Sequence, residues 1–313
     1  LRQHGNTLAV GPTGCHAPGT PILLHDGSVK PVEQITVGER LMGPDSRPRR
    51  VLELHHGCDA MYEVRPLKGA PFVVNAGHIL TLVRTNDGPR ADQVVDIALA
   101  DYLGASSTFR HLHKLLRVAV DFPDRTDPLP LDPHFLGVLL GDGCLKHGVA
   151  VTTPDVEIVE EIHAQAEALG MGVRVEQLAN NLANTYRLVT PGAPRNSLIT
   201  ILRGLGLHGR VAADKFLPPA YKLGDRATRL GVLAGLLDTD GHLSRATCFE
   251  FSSRSHCLAE DVAFVARSLG FLARVRPKVV GDVEYWRVHI SGHCDRIPTQ
   301  VLRKQASPRR QGK

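Results

Sequence analysis

The sequence predicts a mixed fold, an all-β region followed by an α+β domain with an internal pseudo-twofold. Three observations carry this. From residue 15 onward short β-type runs are separated by Asp-Gly, Val-Gly and Gly-Pro turns; a Pro- and Asp-rich stretch, DFPDRTDPLPLDP, occupies 121–133; and beyond it two similar apolar runs each end in Asp-Gly. The divisions drawn from them are a flank at 1–14, a β-rich region at 15–125, the repeated domain at 126–295 and a basic segment at 296–313.

Composition is compatible with this plan. A chain of 313 residues, 42% hydrophobic, can bury two cores. A net charge of +5 and a pI near 9.0 suit a polyanionic partner, and Arg and Lys gather after residue 267. The six cysteines form no C-x-x-C pair, so neither a structural zinc site nor a disulfide framework is expected, and a reducing cytoplasm is the default compartment. No apolar run reaches membrane-span length and no signal peptide is evident, so no membrane partner is expected.

Taken in order, the flank LRQHGNTLAVGPTG reads as the end of a helix, a strand over 7–10 and a glycine turn. The region CHAPGTPILLHDGSVKPVEQITVGERLMGPDSRPRRVLELHHG holds only short β runs with no long helix. A helix is expected from Asp132, carrying FLGVLLGDG at 135–143; its counterpart is LGVLAGLLDTDG at 230–241. Leu136, Val138, Leu139 and Leu140 cover most of the helical circumference, which requires burial on nearly all sides, yet the run ends in Asp142. Helix C-termini disfavour anions. An acid there makes sense if it holds a cation, and two such helices side by side would bring Asp142 and Asp240 together. Gly137 and Gly235, at matching positions, would let the backbones approach closely.

The repeat extends beyond these runs. Strands are expected at 149–153 and 248–252, each before an amphipathic helix ending in Leu-Gly (Leu169, Gly170; Leu269, Gly270), with a further strand at 172–177 and 272–277. Between the halves lie a polar, turn-rich stretch at 178–197, a short helix at 197–207 and the segment DKFLPPAY at 214–221. Two units of this kind predict a pseudo-twofold domain with the Asp-tipped helices at its axis.

Three resemblances follow from these residues. LAGLLDTDG differs from the LAGLIDADG signature of homing endonucleases at Leu237 and Thr239, and DKFLPPAY resembles that family's K-x-I-P block, with Lys215 as its lysine. The resemblance implies a DNA endonuclease in which Asp142 and Asp240 bind Mg²⁺, and Lys215 orients the attacking water or offsets phosphate charge. No motif fixes a lysine for the second half, where Lys278 is a candidate. The partner implied is a long asymmetric double-stranded DNA site, bound by a monomer.

Cys15, Gly19, Thr20, Ile22, Asp26 and Gly27, followed by FVVNAGHILTL, resemble the two amino-terminal blocks of inteins, the self-splicing elements of the Hint fold. The resemblance implies that Cys15 attacks the carbonyl of Gly14 in an N-S acyl shift and that His78 protonates the departing nitrogen. Asn75 stands where the second block, T-x-x-H, usually has Thr. Nothing at the carboxy-terminal end matches the final His-Asn block, so the chain reads as an intein with its endonuclease but without its last splicing segment.

The flank resembles the nucleotide-binding loop of superfamily 2 DNA helicases and related ATPases. Gly11, Pro12, Thr13 and Gly14 supply the first four positions of G-x-x-x-x-G-K-[ST] before Cys15 interrupts. The implied host is therefore a helicase-like ATPase. Two other outcomes stay open at this level, a degenerate element that binds DNA without cutting it and a hedgehog-like autoprocessing domain.

Overall fold

The computed structural model describes residues 7–9, 14–66, 69–86, 88–123, 127–146, 148–177, 183–192 and 196–308. The chain divides into two compact units between Pro123 and Asp124. Of the flank's loop-like residues, 11–13 lie outside the described residues, as do Arg309, Arg310 and Lys313 of the basic end.

The first unit holds twelve strands and two six-residue helices among its described residues. The strands are β1 (Thr7–Ala9), β2 (Cys15–His16), β3 (Pro21–Leu23), β4 (Val29–Pro31), β5 (Arg40–Met42), β6 (Pro48–Arg50), β7 (His55–Gly57), β8 (Met61–Val64), β9 (Phe72–Asn75), β10 (Ile79–Arg84), β11 (Val94–Ala98) and β12 (His113–Leu115). The helices α1 (Leu99–Gly104) and α2 (Ser107–Leu112) follow β11. The Asp-Gly turn closes β3 on β4. Asp26 accepts from the Ser28 N–H at 2.9 Å while Gly27 takes φ +89°, a left-handed angle that glycine adopts without strain. The largest sheet runs β7-β1-β2-β9-β8, and it decides the position of Cys15: β2 pairs with β1 on one side (Ala9 opposite Cys15) and with β9 on the other (His16 opposite Val74). Two small cores support the strands, one around Val32 and Val51, the other around Val74, Leu82 and Leu99.

The second unit contains the repeat. Its first half is α3 (Pro133–Gly141), β13 (Gly143–Cys144), β14 (Val149–Thr153), α4 (Val156–Ala168), β15 (Gly172–Gln177) and β16 (Asn184–Val189). After the connecting helices α5 (Ser197–Gly204) and α6 (Pro219–Lys222), the second half repeats the order: α7 (Arg226–Asp240), β17 (Gly241–Ser244), β18 (Cys248–Ser253), α8 (His256–Ser268), β19 (Leu272–Val280) and β20 (Val283–Ser291). The antiparallel sheets have one topology, β13-β14-β16-β15 and β17-β18-β20-β19. One continuous core joins the halves through α3, α7 and the inward faces of both sheets.

Side-chain caps start the two central helices. Asp132 accepts from the His134 and Phe135 N–H groups at 2.8 and 3.1 Å ahead of Pro133, and Asp225 accepts from Thr228 at 2.7 Å. The helices then cross through glycine. A methyl on Gly137 would sit 2.8 Å from the Leu236 nitrogen and 2.9 Å from the Gly235 Cα, and one on Gly235 would sit 3.0 Å from the Val138 nitrogen. No side chain fits there. The glycines after the acids are fixed as well, because a Cβ on Gly143 or Gly241 would lie 2.8 or 2.6 Å from the Cα of Leu139 or Leu237.

Three expectations need correction. The stretch 178–197 is not turn throughout, since β16 lies within it and is central to its sheet; Tyr186 and Leu188 face the core in strand alternation behind an Asn-rich start. The strand expected at 272–277 continues to Val280 in a long hairpin with β20. The helix expected over 197–207 ends at Gly204, and Gly206 follows at φ +72°.

Two candidate active centres

In the first unit, Cys15 opens β2 and Asn75 closes β9, and the antiparallel register that sets His16 opposite Val74 brings them face to face at the end of the ladder. The Cys15 N–H, which belongs to the Gly14–Cys15 peptide, donates to Asn75 Oδ1 at 2.9 Å. The bond to that peptide is therefore made with Asn in place of Thr. The Asn75 Nδ2 donates in turn to Asp59 Oδ2 at 2.9 Å, a partner that no motif pointed to. His78 follows in the turn before β10 and lies over Gly14, where a Cβ would come within 2.8 Å of its Nδ1. A glycine before the nucleophile thus makes room for the imidazole. The His16 ring meets His78 edge to face, with centroids 4.5 Å apart.

The electrostatics favour neutral groups at rest. Burial pushes the Cys15 thiol up, with the Asp59 carboxylate adding to it. Burial lowers His78, and burial together with His78 takes His16 down to about 4. The Nδ1 atoms of both histidines are buried without a hydrogen-bond partner among the described residues. Cys15, Asn75, His78 and the Gly14–Cys15 peptide thus form one cluster holding an imidazole with uncommitted capacity to take and give a proton.

In the second unit, Asp142 caps α3 and Asp240 is the last residue of α7. Both carboxylates keep a face open to solvent, yet the surrounding protein removes enough water to raise their pKa. For Asp240 this burial, then the charge of Asp142, pushes the value up to about 6 against the opposing Lys215 and Lys304. The two acids therefore share one electrostatic site.

Lys215, 6% exposed, reaches the end of α3 and gives its three protons to the carbonyls of Leu140, Gly141 and Gly143 at 2.8, 2.9 and 2.9 Å. Lys304, 4% exposed, does the same at the end of α7, donating to Leu237, Asp238 and Thr239 at 3.1, 2.7 and 2.8 Å. Burial pulls both lysines down, while the Asp142 charge, with that of Asp240 on Lys215, works the other way. Each ammonium offsets the negative end of its helix, where an acid would otherwise be disfavoured. Lys278 is not the counterpart of Lys215: it is exposed on β19 opposite Tyr285.

Lys304 is held by a buried ionic cluster that the sequence did not reveal. Asp238, 1% exposed, accepts from the Gln300 and Val301 N–H groups at 2.7 and 3.2 Å and pairs with His134 Nε2 at 2.9 Å. Burial alone would lower His134, but its contacts with Asp238 and Glu161 overcome this and raise it to about 9. Residues 299–304 also bond α4 and its cap, Leu302 N–H to Glu157 and Arg303 to Asp155.

Among the described residues no three His, Cys, Asp or Glu side chains converge as a ready-made metal cage. Asp142 and Asp240 nevertheless offer hard, solvent-open oxygen donors, a set that suits Mg²⁺, which keeps waters and binds through one or two carboxylates and phosphates. The outer sheet faces are basic. Arg174 lies opposite Arg187 and Arg276 opposite Arg287, like-charge pairs only partly offset by Glu176 and Glu250.

Residues 15–98 match the family model for the Hom_end-associated Hint, and residues 227–296 match that for a LAGLIDADG-like domain. The chain is 28% identical over 271 residues, 79% of its length, to a replicative DNA helicase DnaB of Mycobacterium intracellulare, of which it spans 41%. It is 35% identical over 97 residues, 28% of its length, to the catalytic component of the V-type proton ATPase of Candida tropicalis, of which it spans 9%. Among solved structures, I-DmoI in complex with DNA and Mn is similar at TM-score 0.38 and 14% identity, over 51% of this chain and 88% of that one. The N-terminal LAGLIDADG domain of DUF199/WhiA is similar at TM-score 0.35 and 11% identity, over 53% and 80%. One family match spans Cys15, Asn75 and His78 and the other spans α7 and Asp240, and together they fit an intein that carries an inserted LAGLIDADG-type endonuclease domain.

Proposed function

We propose that the second unit cuts both strands of a long asymmetric DNA site in a host gene lacking the insert, and that the first performs the opening step of protein splicing. The nuclease reading rests above all on the matched helix ends, each presenting a solvent-open acid over carbonyls that a buried lysine occupies. Asp142 and Asp240 would hold Mg²⁺, which when bound supplies water activation and stabilises the leaving oxygen. Lys215 and Lys304 stay committed to the backbone and act on the acids through their charge, keeping them ionised enough to bind cations. One chain supplies both halves, so a monomer suffices, and the cross-strand arginines of each sheet lie where a phosphate backbone would relieve their repulsion. The test is cleavage of a plasmid carrying the uninterrupted host sequence, by the parent and by D142N and D240N; undiminished cutting by either variant rejects the assignment.

For splicing, neutral His78 takes the thiol proton of Cys15 as sulfur attacks the Gly14 carbonyl, then delivers it to the departing nitrogen. The C–N bond breaks and a thioester with a free amine results. The Asn75 oxygen holds the peptide N–H throughout. Hydroxylamine should then release a peptide ending at Gly14 from the parent but not from C15A; release from both would remove Cys15 from its role. The helicase and ATPase names among the relatives support a host of that broad type.

A further inference from the structure

We infer that Asp59 is a positioning residue for the acyl shift, its carboxylate fixing the Asn75 amide so that Oδ1 rather than Nδ2 meets the N–H of the Gly14–Cys15 peptide. The inference rests on the splicing reading above and adds to it a residue outside the motif blocks. An Asn side chain ends in two atoms of nearly equal shape and opposite character, a carbonyl oxygen and an NH₂. At Asn75, 7% exposed, the two ends face unlike partners: Oδ1 is 2.9 Å from a backbone N–H that can only donate, and Nδ2 is 2.9 Å from a carboxylate oxygen that accepts. The reversed amide would set NH₂ against N–H and oxygen against carboxylate. Without Asp59 only the peptide N–H chooses between the two orientations.

Sheet register explains how Asp59 reaches this place. β8 pairs with β9 so that Met61 lies opposite Asn75, and Asp59 sits two residues before Met61. Its own carboxylate is anchored, Oδ1 accepting from the Ala60 N–H at 2.7 Å, which leaves Oδ2 for Asn75. A hydroxyl at the Asn75 position would need no such selector, because one oxygen both donates and accepts. In the reaction, the hydrogen bond from the peptide N–H to Oδ1 orients that nitrogen as it becomes pyramidal, so its new lone pair turns away from Asn75 to receive the proton from His78. The C–N bond breaks, the C–S bond forms, and the thiol proton ends on the free amine.

The test uses the 313-residue chain and hydroxylamine, following release of the peptide ending at Gly14 by mass spectrometry across pH 6–9. D59A should slow release about tenfold, the effect of one misplaced hydrogen bond. D59N, which keeps an acceptor oxygen but not the charge, should recover to within about threefold. Its pH profile should move to lower pH, because the carboxylate that helps hold the Cys15 thiol protonated is gone. In an N75A background the D59A change should slow release no further and only move the pH profile to lower pH, since no amide remains to orient. Equal rates for D59A and the parent, or the same slowing by D59A with and without Asn75, would overturn the assignment while leaving the splicing reading intact. If the parent releases no Cys15-dependent peptide, the splicing reading falls and this assignment with it.

Discussion

Lys215 and Lys304 plug the C-terminal ends of α3 and α7 in the same way, each giving its three protons to carbonyls at the end of the helix that carries an acid. With those protons committed, neither lysine is free to act as a proton donor. The work of each is to make an acid at the wrong end of a helix tolerable and to set its charge.

The first prediction follows from the acids themselves. D142N and D240N each remove a charged ligand without changing shape, so cleavage should fall by more than about a hundredfold, beyond the usual cost of an outer-shell change. DNA affinity measured by gel shift should stay near that of the parent. A variant that loses both properties together would point to a folding defect.

A pH dependence accompanies this. Asp240 must be ionised to bind a cation, and its pKa is raised to about 6, so metal binding followed by calorimetry should weaken as pH falls through about 6 and level off above about 7. D142N removes the like charge that raises Asp240. The midpoint for the remaining acid should then move to lower pH.

The lysines separate by role. K304M leaves three helix-end carbonyls without their buried cation and should depress both cleavage and melting temperature, as should K215M. K278A, on the exposed part of β19, should leave cleavage at saturating DNA unchanged. Equal loss in K278A and K304M would contradict the pairing of Lys304 with Lys215.

Two glycine substitutions should have opposite signs. Gly235→Ala forces a methyl into the backbone of α3 and should cost about 3 kcal/mol or more, as severe overpacking does. Gly204→Ala, at the end of α5 with open space around it, should be neutral or stabilising by up to about 1 kcal/mol. Denaturant midpoints of the two variants measure the contrast.

The His134 cluster gives a stability signature. Its folded value of about 9 lies above the ordinary 6.5, so the stabilisation is complete below 6.5 and is lost as pH rises through about 9. The melting temperature of the parent should fall across that window, and His134→Leu should flatten the fall.

What could be read from sequence was what repeats or alternates. Asp142 and Asp240 stood out because an acid after an apolar helix contradicts its surroundings, and Cys15, Asn75 and His78 because their spacing matched a known pair of blocks. Lys304 lies among neighbouring basic residues where one lysine looks like another, although its distance beyond α7 resembles that of Lys215 beyond α3. Asp59 acts through a contact that only sheet register creates, and Asp238 is distinguished from Asp240 by its burial and by the Gln300, Val301 and His134 groups that it binds. The strand β16 was hidden by the asparagines at its start, which favour turns until tertiary pairing overrides them.

The placement of the two lysines carries a further consequence. Each repeat brings its own helix, its own acid, its own four-stranded sheet and, after that sheet, its own lysine, so neither borrows a lysine from the other. Such a repeat is a complete half of the centre, and two copies of one half related by a true symmetry axis would rebuild the whole. Joining the halves in one chain lets each differ from the other, and under the proposed nuclease function the two sheets would then face unlike stretches of DNA, where a symmetric pair would require a palindrome.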